Sequence, residues 1–184
     1  AKVLKEIRAI ENFEDVSSVT EEEALASGHL VYIGEEVMTA YTEAIKTLTV
    51  KKEMVRDHAK DLTIIYTPIH GSGNIPVRRV LQELGYEHVH IVKEQELPDG
   101  TFPTAPYPNP ENPQVFELAL ELAKDVSPDI IFGTDPDCDR VGVIVKDREG
   151  KDQVLSGNQI GMLITYYLLT AMKEEQTIPD NGVV

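Results

Sequence analysis

The sequence predicts an α/β fold with a mostly parallel mixed sheet whose last strand runs antiparallel. Short apolar runs, which are typical of buried strands, begin near residues 62, 88, 129 and 141. Stretches with apolar residues at helical spacing separate the first three runs. The fourth run follows the third too closely for a parallel crossover, which needs a dozen or more residues, so it must return antiparallel.

The composition limits the classes of protein to consider. The chain has 184 residues and 41% hydrophobic content, which is enough for one sizeable domain with flanking pieces. The formal charge is −15, from 17 basic and 32 acidic residues. A nonspecific grip on nucleic acid or on an anionic membrane needs clustered Lys and Arg, so we expect neither nucleic acid nor a membrane as a partner.

Cysteine usage and the chain ends lead to two further expectations. The single cysteine, Cys138, excludes an internal disulfide, and a reducing cytoplasm is therefore the simpler location. No apolar run approaches the length of a membrane span. The sequence starts without Met and stops in an apolar run, so we expect an excised piece of a larger protein.

The first 60 residues predict helices. Residues 1–11 carry an amphipathic stripe, and Thr20 with Glu23 has the spacing of a capping box, which marks a short helix. Residues 29–33 fit either a strand or a linker. One long helix is predicted over residues 35–59, and the stretch 47–50, rich in β-branched residues, is the place where it could break.

A βαβ unit follows. Residues 62–66 form a strand, a helix stripe over 77–84 ends at Gly85, and residues 88–92 form a second strand, parallel to the first. Residues 97–113 hold six prolines and predict an extended loop that covers the surface.

The rest of the chain completes the sheet. A helix with apolar residues over 115–122 leads into a third strand at 129–132, and the fourth strand covers residues 140–145. Residues 153–155 fit a short strand, and a helix is predicted from residue 157 to about 173.

An acidic loop, residues 133–140, connects the third and fourth strands. Asp135, Asp137 and Asp139 alternate within it, so a curved loop can direct all three carboxylates at one ion. Oxygen ligands of this kind favour Mg²⁺, with Mn²⁺ and Ca²⁺ as competitors. The loop follows the carboxyl end of a strand, where open α/β sheets bind ligands. The alternative is a solvated acidic turn, and spacing alone leaves both open.

The residues next to the aspartates limit which kind of cation site the loop can form. An EF-hand would need Gly at its sixth position and Glu at its twelfth, but these are Arg140 and Lys146. Arg140 suits contact with a phosphate, or else a salt bridge to the aspartates. Cys138 occupies an odd place in the alternation, and we expect its thiol to point away from the cation.

A second polar loop, residues 66–74, follows the first strand and precedes a helix. Its glycines suggest a phosphate loop, but Pro76 replaces the third glycine of the dinucleotide fingerprint and the Lys-Ser/Thr pair of a P-loop is missing. His70 could titrate or bind a metal, although we favour a histidine that ties down the backbone.

Five motifs together resemble the second domain of the α-D-phosphohexomutases, most closely the bacterial phosphoglucomutase branch, with phosphomannomutase as the near relative. In chain order they are Tyr66-Thr67-Pro68-Ile69-His70-Gly71, Pro98-Asp99-Gly100-Thr101-Phe102-Pro103, Pro108-Asn109-Pro110, Gly133-Thr134-Asp135-Pro136-Asp137-Cys138-Asp139-Arg140 and Gly157-Asn158-Gln159-Ile160-Gly161. Cys138 is a mild departure, because the family commonly has alanine there.

The resemblance implies a site and a reaction. Asp135, Asp137 and Asp139 would hold Mg²⁺, a phosphoserine of another domain would complete its shell, and Arg140 would contact phosphate. Glucose 1-phosphate and glucose 6-phosphate would be interconverted through a phosphoserine enzyme and a bisphosphate intermediate. The alternatives are a phosphomannomutase, or a stand-alone cation-binding or interaction module without catalysis.

The resemblance also implies a domain division and a three-layer α/β/α core. Residues 1–40 would be the tail of a preceding domain and a linker, residues 41–149 the metal-binding domain, and residues 150–184 the start of the following domain. The serine nucleophile and the sugar-reading motif of the family are not found in the sequence. We therefore expect the chain to be inactive alone, with hexose phosphate bound through the missing domains.

Overall fold

The computed structural model describes residues 2–179, 181 and 182. The chain divides into two compact units, one ending at Val37 and the other beginning at Met38. The predicted α/β class is confirmed, and the five-stranded sheet lies in the second unit.

The first unit contains short helices. Helix α1 covers Lys2–Ala9, and helix α2 covers Glu21–Ala26. The predicted capping box is present, because the Thr20 hydroxyl accepts a hydrogen bond from the Glu23 amide at 3.3 Å and the Glu23 carboxylate accepts from the Thr20 amide at 3.0 Å. Residues 29–33 form neither helix nor strand, so the linker alternative was the correct one for this stretch.

The long helix predicted after the linker is interrupted. Helix α3 covers Glu35–Thr47 and helix α4 covers Lys52–His58, so the break lies where β-branched residues weaken helical preference. Lys51 adopts φ 50° at this break, a left-handed conformation that cannot continue an α-helix.

The remaining elements build the sheet and its cover. In chain order they are β1 (Thr63–Thr67), α5 (Asn74–Glu83), β2 (His88–Ile91), α6 (Glu117–Val126), β3 (Ile130–Thr134), β4 (Val141–Lys146), β5 (Asp152–Leu155) and α7 (Gly157–Glu174). The strand order is β2-β1-β3-β4-β5. Strand β1 pairs parallel with β2 and β3, as predicted for the βαβ unit.

Strand β4 returns antiparallel to β3, as the short connection required. The short strand β5 then pairs antiparallel with β4, so it points in the same direction as β3. The reversed strand is therefore one place in from the edge, and the other four strands share one direction.

The core lies around the central strands. Ile65, Ile131 and Ile144, from three neighbouring strands, are at most 2% exposed and belong to one buried cluster with Phe116 and Ala119. Strand β1 is buried at consecutive positions, which indicates that both faces of the sheet are covered there.

The proline-rich loop does more than cover the surface. Ala105 and Pro110 are buried, and the Pro110 carbonyl lies against Gly142 of β4. A Cβ atom on Gly142 would lie 2.2 Å from the Pro110 carbonyl oxygen, so this strand position requires glycine.

Helix α7 begins with a capping box formed by Ser156 and Gln159. Much of its apolar surface is exposed, including Met162 and Tyr166 at more than 70%. None of the helices in the described ranges is both long enough and apolar enough to cross a membrane.

The Gly142 contact predicts a large effect of one methyl group. Gly142→Ala should lower the free energy of unfolding by about 2 kcal/mol or more, because the new atom meets backbone that cannot move alone. Urea unfolding followed by circular dichroism measures this. Gly100→Ala is the control, since nothing lies within 4 Å of its Cβ position, and should change stability by less than about 0.5 kcal/mol. Equal midpoints for the two variants would contradict the packing argument.

Candidate metal site

Three carboxylates converge in the loop between β3 and β4. Asp135, Asp137 and Asp139 each present one oxygen, and these oxygens all lie within 4.8 Å of one another. Asp135 is 7% exposed, whereas Asp137 and Asp139 are exposed. The structure thus brings together the three aspartates that the sequence singled out, at the carboxyl end of β3.

The Asp135 side chain closes the loop. Its Oδ1 atom accepts hydrogen bonds from the amides of Asp139 at 3.0 Å and Arg140 at 2.9 Å, and its main-chain carbonyl accepts from the Cys138 amide at 3.0 Å. These bonds bend the chain back on itself, as a short polar side chain in a turn commonly does. The Oδ2 atom accepts neither amide and is left for another partner.

The three negative charges repel one another. The charge of Asp137, followed by that of Asp135, raises the pKa of the Asp139 carboxyl above its ordinary value. A cation bound between the carboxylates would remove this repulsion.

Arg140 faces the same carboxylates from the end of the loop. Its Nε atom lies 3.9 Å from Asp135 Oδ2 and 3.9 Å from Asp139 Oδ1, too far for a hydrogen bond, and the side chain is 57% exposed. Ion pairs this long and this exposed contribute little to stability. The guanidinium is therefore near the aspartates without being tied to them.

The donor set fits a hard divalent cation. All three candidate ligands are carboxylate oxygens, which Mg²⁺ and Ca²⁺ prefer, and three side chains leave room in an octahedral shell for other oxygen ligands. Cys138 adopts φ 63° and its Sγ atom lies next to Gly73, where a Cβ atom would be only 2.9 Å away. The thiol, which is a soft ligand, therefore packs against Gly73.

A second loop supports the acidic loop. Residues 68–73, between β1 and α5, contact Pro136 through Gly71 and Ser72. The Ser72 amide and hydroxyl both donate to the Pro136 carbonyl, at 2.8 and 3.0 Å. The sequence singled out this loop as a weak phosphate-loop match, and that reading overlooked its contact with the acidic loop. The two glycines after a buried strand were the available signal.

His70 ties down backbone, as favoured from the sequence. Its Nδ1 atom lies 3.0 Å from the Leu97 carbonyl and its Nε2 atom 3.0 Å from the Thr104 hydroxyl, and the residue is 6% exposed. A carbonyl can only accept, so Nδ1 donates to it. With both ring nitrogens engaged, the imidazole links the glycine-containing loop to the proline-rich loop.

Gln95 is a buried anchor that sequence reasoning missed. It is fully buried, accepts from the Thr67 hydroxyl at 2.6 Å, donates to the Val115 carbonyl at 3.1 Å, and accepts from the His70 amide through its main-chain carbonyl at 2.9 Å. In the sequence it stands among lysine and glutamate, which is typical of an exposed turn. Nothing local to that stretch indicates burial.

Comparison with known proteins identifies what the fold and the loop resemble. Residues 39–150 match the family model described as phosphoglucomutase/phosphomannomutase, alpha/beta/alpha domain II. A probable phosphomannomutase of Haemophilus influenzae is 34% identical over 150 residues, which cover 82% of this chain and 30% of the relative. A phosphoglucomutase of Staphylococcus saprophyticus is 33% identical over 151 residues, covering 82% and 26%.

A relative with another named substrate also matches. A phosphoribomutase of Saccharomyces cerevisiae is 33% identical over 162 residues, which cover 85% of this chain and 25% of the relative. The chain thus spans less than a third of the length of these curated relatives.

The raised pKa of Asp139 predicts a pH-dependent effect on stability. Its charged form is less favourable in the folded chain than in the unfolded chain, so the charge lowers stability at neutral pH. Without divalent cations, Asp139→Asn should raise the melting temperature at pH 7. The gain should vanish near about pH 3, where the wild-type carboxyl is protonated in both states. Calorimetry in chelator-containing buffer measures this.

Asp147 supplies a control of opposite sign. Hydrogen bonds from backbone amides, that of Lys151 first, lower the pKa of the Asp147 carboxyl, so its charge stabilises the folded chain at neutral pH. Asp147→Asn should lower the melting temperature at pH 7, and the loss should shrink as the pH falls. The same sign for both variants at pH 7 would contradict the assignment.

Proposed function

Because the chain belongs to the phosphoglucomutase/phosphomannomutase family, we propose that it is the Mg²⁺-binding segment of a mutase that interconverts glucose 1-phosphate and glucose 6-phosphate. The observation that carries the proposal is the convergence of three aspartate oxygens within 4.8 Å in the loop after β3. The match to a mutase domain and the oxygen-only donor set both support it.

Different residues of this chain would bind the cation and the phosphate. Asp135, fixed by two amides, offers a carboxylate that is already oriented, and the exposed Asp137 and Asp139 complete the set. The bound cation supplies charge neutralisation at the transferring phosphoryl group. Arg140 would contact a phosphate oxygen, because its guanidinium is exposed beside the carboxylates and forms no close ion pair with them.

The reaction would proceed through a phosphoserine and a bisphosphate intermediate, with the serine outside this chain. The contribution of this chain to the reaction would be positioning and electrostatics, which dominate phosphoryl-transfer catalysis. We propose that residues 41–149 form the metal-binding domain and that residues 1–40 belong to the preceding domain and linker. Residues 150–184 would start the following domain, with strand β5 paired to β4 at the edge of the metal-binding domain's sheet. Hexose phosphate would bind through domains beyond this segment. Cytoplasmic location stays a prediction from the single cysteine.

The sugar is the open part of the proposal. Curated relatives are named for glucose, mannose and ribose phosphates at nearly equal identity. Glucose leads because the motifs resemble the bacterial phosphoglucomutase branch, and mannose is the second candidate because of the Haemophilus influenzae relative. Assays of the full-length enzyme with each sugar 1-phosphate would separate the three.

The isolated chain should not turn over substrate. A coupled assay that detects glucose 6-phosphate from glucose 1-phosphate, with Mg²⁺ and glucose 1,6-bisphosphate added, should give no rate above the buffer background. The reason is that the nucleophile and the sugar-reading motif are not found in the chain. Robust turnover by the chain alone would contradict the proposal that it is one segment of the enzyme.

In the full-length enzyme, Asp137→Ala should lower kcat at least about 100-fold. It should not lower the melting temperature measured in chelator, because the side chain is exposed and its removal relieves the repulsion with Asp139. Steady-state kinetics and thermal unfolding measure the two effects. Asp125→Ala, an exposed carboxylate on α6, is the matched control and should retain wild-type kcat. If Asp137→Ala unfolds while activity per folded molecule stays normal, the loop is structural and the proposed role is wrong.

A further inference from the structure

The hydrogen bonds within the acidic loop fix its second half but do not hold the Asp137 side chain. Asp135 binds the amides of Cys138, Asp139 and Arg140, which fixes the second half of the loop. Within the part of the chain that the structure describes, the Asp137 side chain has no hydrogen bond or ion pair. The direction of its carboxylate therefore depends on how the backbone just before it is held.

The backbone before Asp137 is held from the neighbouring loop. Ser72 donates twice to the carbonyl of Pro136, from its amide at 2.8 Å and its hydroxyl at 3.0 Å. This carbonyl belongs to the peptide unit that joins Pro136 to Asp137. Both lone pairs of the carbonyl oxygen are thus used by one residue, which fixes the plane of that peptide unit.

The two loops are also in close backbone contact, at Gly71 and Pro136. A Cβ atom on Gly71 would lie 2.5 Å from the Pro136 Cα atom and 2.7 Å from its oxygen, so the two backbones touch directly. The loop that carries Ser72, residues 68–73, is itself held in place through His70. The His70 amide donates to the Gln95 carbonyl, and the His70 ring is hydrogen-bonded to Leu97 and Thr104. Ser72 therefore donates from a fixed position.

We propose that Ser72 is a positioning residue for the acidic loop: by holding the Pro136 carbonyl it sets the carboxylate of Asp137 for cation binding. Ser72 does not itself belong to the three candidate ligands. The inference rests on the proposed cation-binding function. Partners that orient metal ligands from behind commonly matter for affinity nearly as much as the ligands do.

The test uses Mn²⁺ as the probe and the full-length enzyme that contains this chain. Free Mn²⁺ is measured by electron paramagnetic resonance during titration, which gives the dissociation constant. Ser72→Ala should weaken binding about 10-fold, the low end for loss of such a partner, because the Ser72 amide still donates. Ser72→Thr keeps a hydroxyl at an exposed position and should restore affinity to within about twofold.

Two controls separate positioning from general destabilisation. Ser17→Ala removes an exposed hydroxyl in the first unit and should bind like the wild type. Ser72→Ala should keep its melting temperature in chelator to within about 2 °C, since the lost bond is exposed. Weaker binding that follows a lowered melting temperature, with no rescue by threonine, would overturn the inference.

The remaining outcomes distinguish this inference from the proposed function. If the wild type binds Mn²⁺ and Ser72→Ala binds it equally well, the positioning role is wrong while cation binding stands. If the folded full-length wild-type enzyme binds no Mn²⁺ up to about 10 mM, weaker than known protein sites for hard cations, both are wrong.

Discussion

The close approach of two backbones, at Gly71 and Pro136, is the constraint on which the site depends. Strands β1 and β3 are parallel neighbours, with Thr67 opposite Gly133, so the loops that follow them begin side by side. The space between these loops has no room for a Cβ atom on Gly71. The polar loops therefore support each other, and the sheet order determines which loops meet.

This proximity requires an unusual turn. Ile69 and His70 both adopt positive φ, 47° and 59°, which is rare for a β-branched residue. Such conformations cost about 1–3 kcal/mol each and persist only where surrounding contacts determine them. Here the contacts are hydrogen bonds to Thr67, Gln95 and Thr104, each contributing about 0.5–1.5 kcal/mol. The strain is localised at the support of the acidic loop and is offset there.

The sequence was informative where signals are local. The apolar runs of β1 to β4 and the short β3 to β4 connection determine the strand directions, and the alternation of Asp135, Asp137 and Asp139 marks the candidate ligands. Gln95 and Ser72 could not be found in this way. Their roles follow from partners that lie 20 to 64 positions away along the chain, and only the folded sheet makes them neighbours. The fold class is a property of periodicity, whereas the support of the site is a property of tertiary contacts.

The hairpin origin of the acidic loop has an entropic consequence. All three carboxylates come from five consecutive residues, and the Asp135 side chain already joins the two ends of that stretch. The chain-closure entropy for gathering the ligands is therefore small, because it grows with the length of chain enclosed. A set of ligands assembled from distant segments would form and disperse with the whole fold. This one is encoded within a single tight turn, so apart from the contact with the loop at Gly71 and Ser72 its geometry requires no other segment to stay in place.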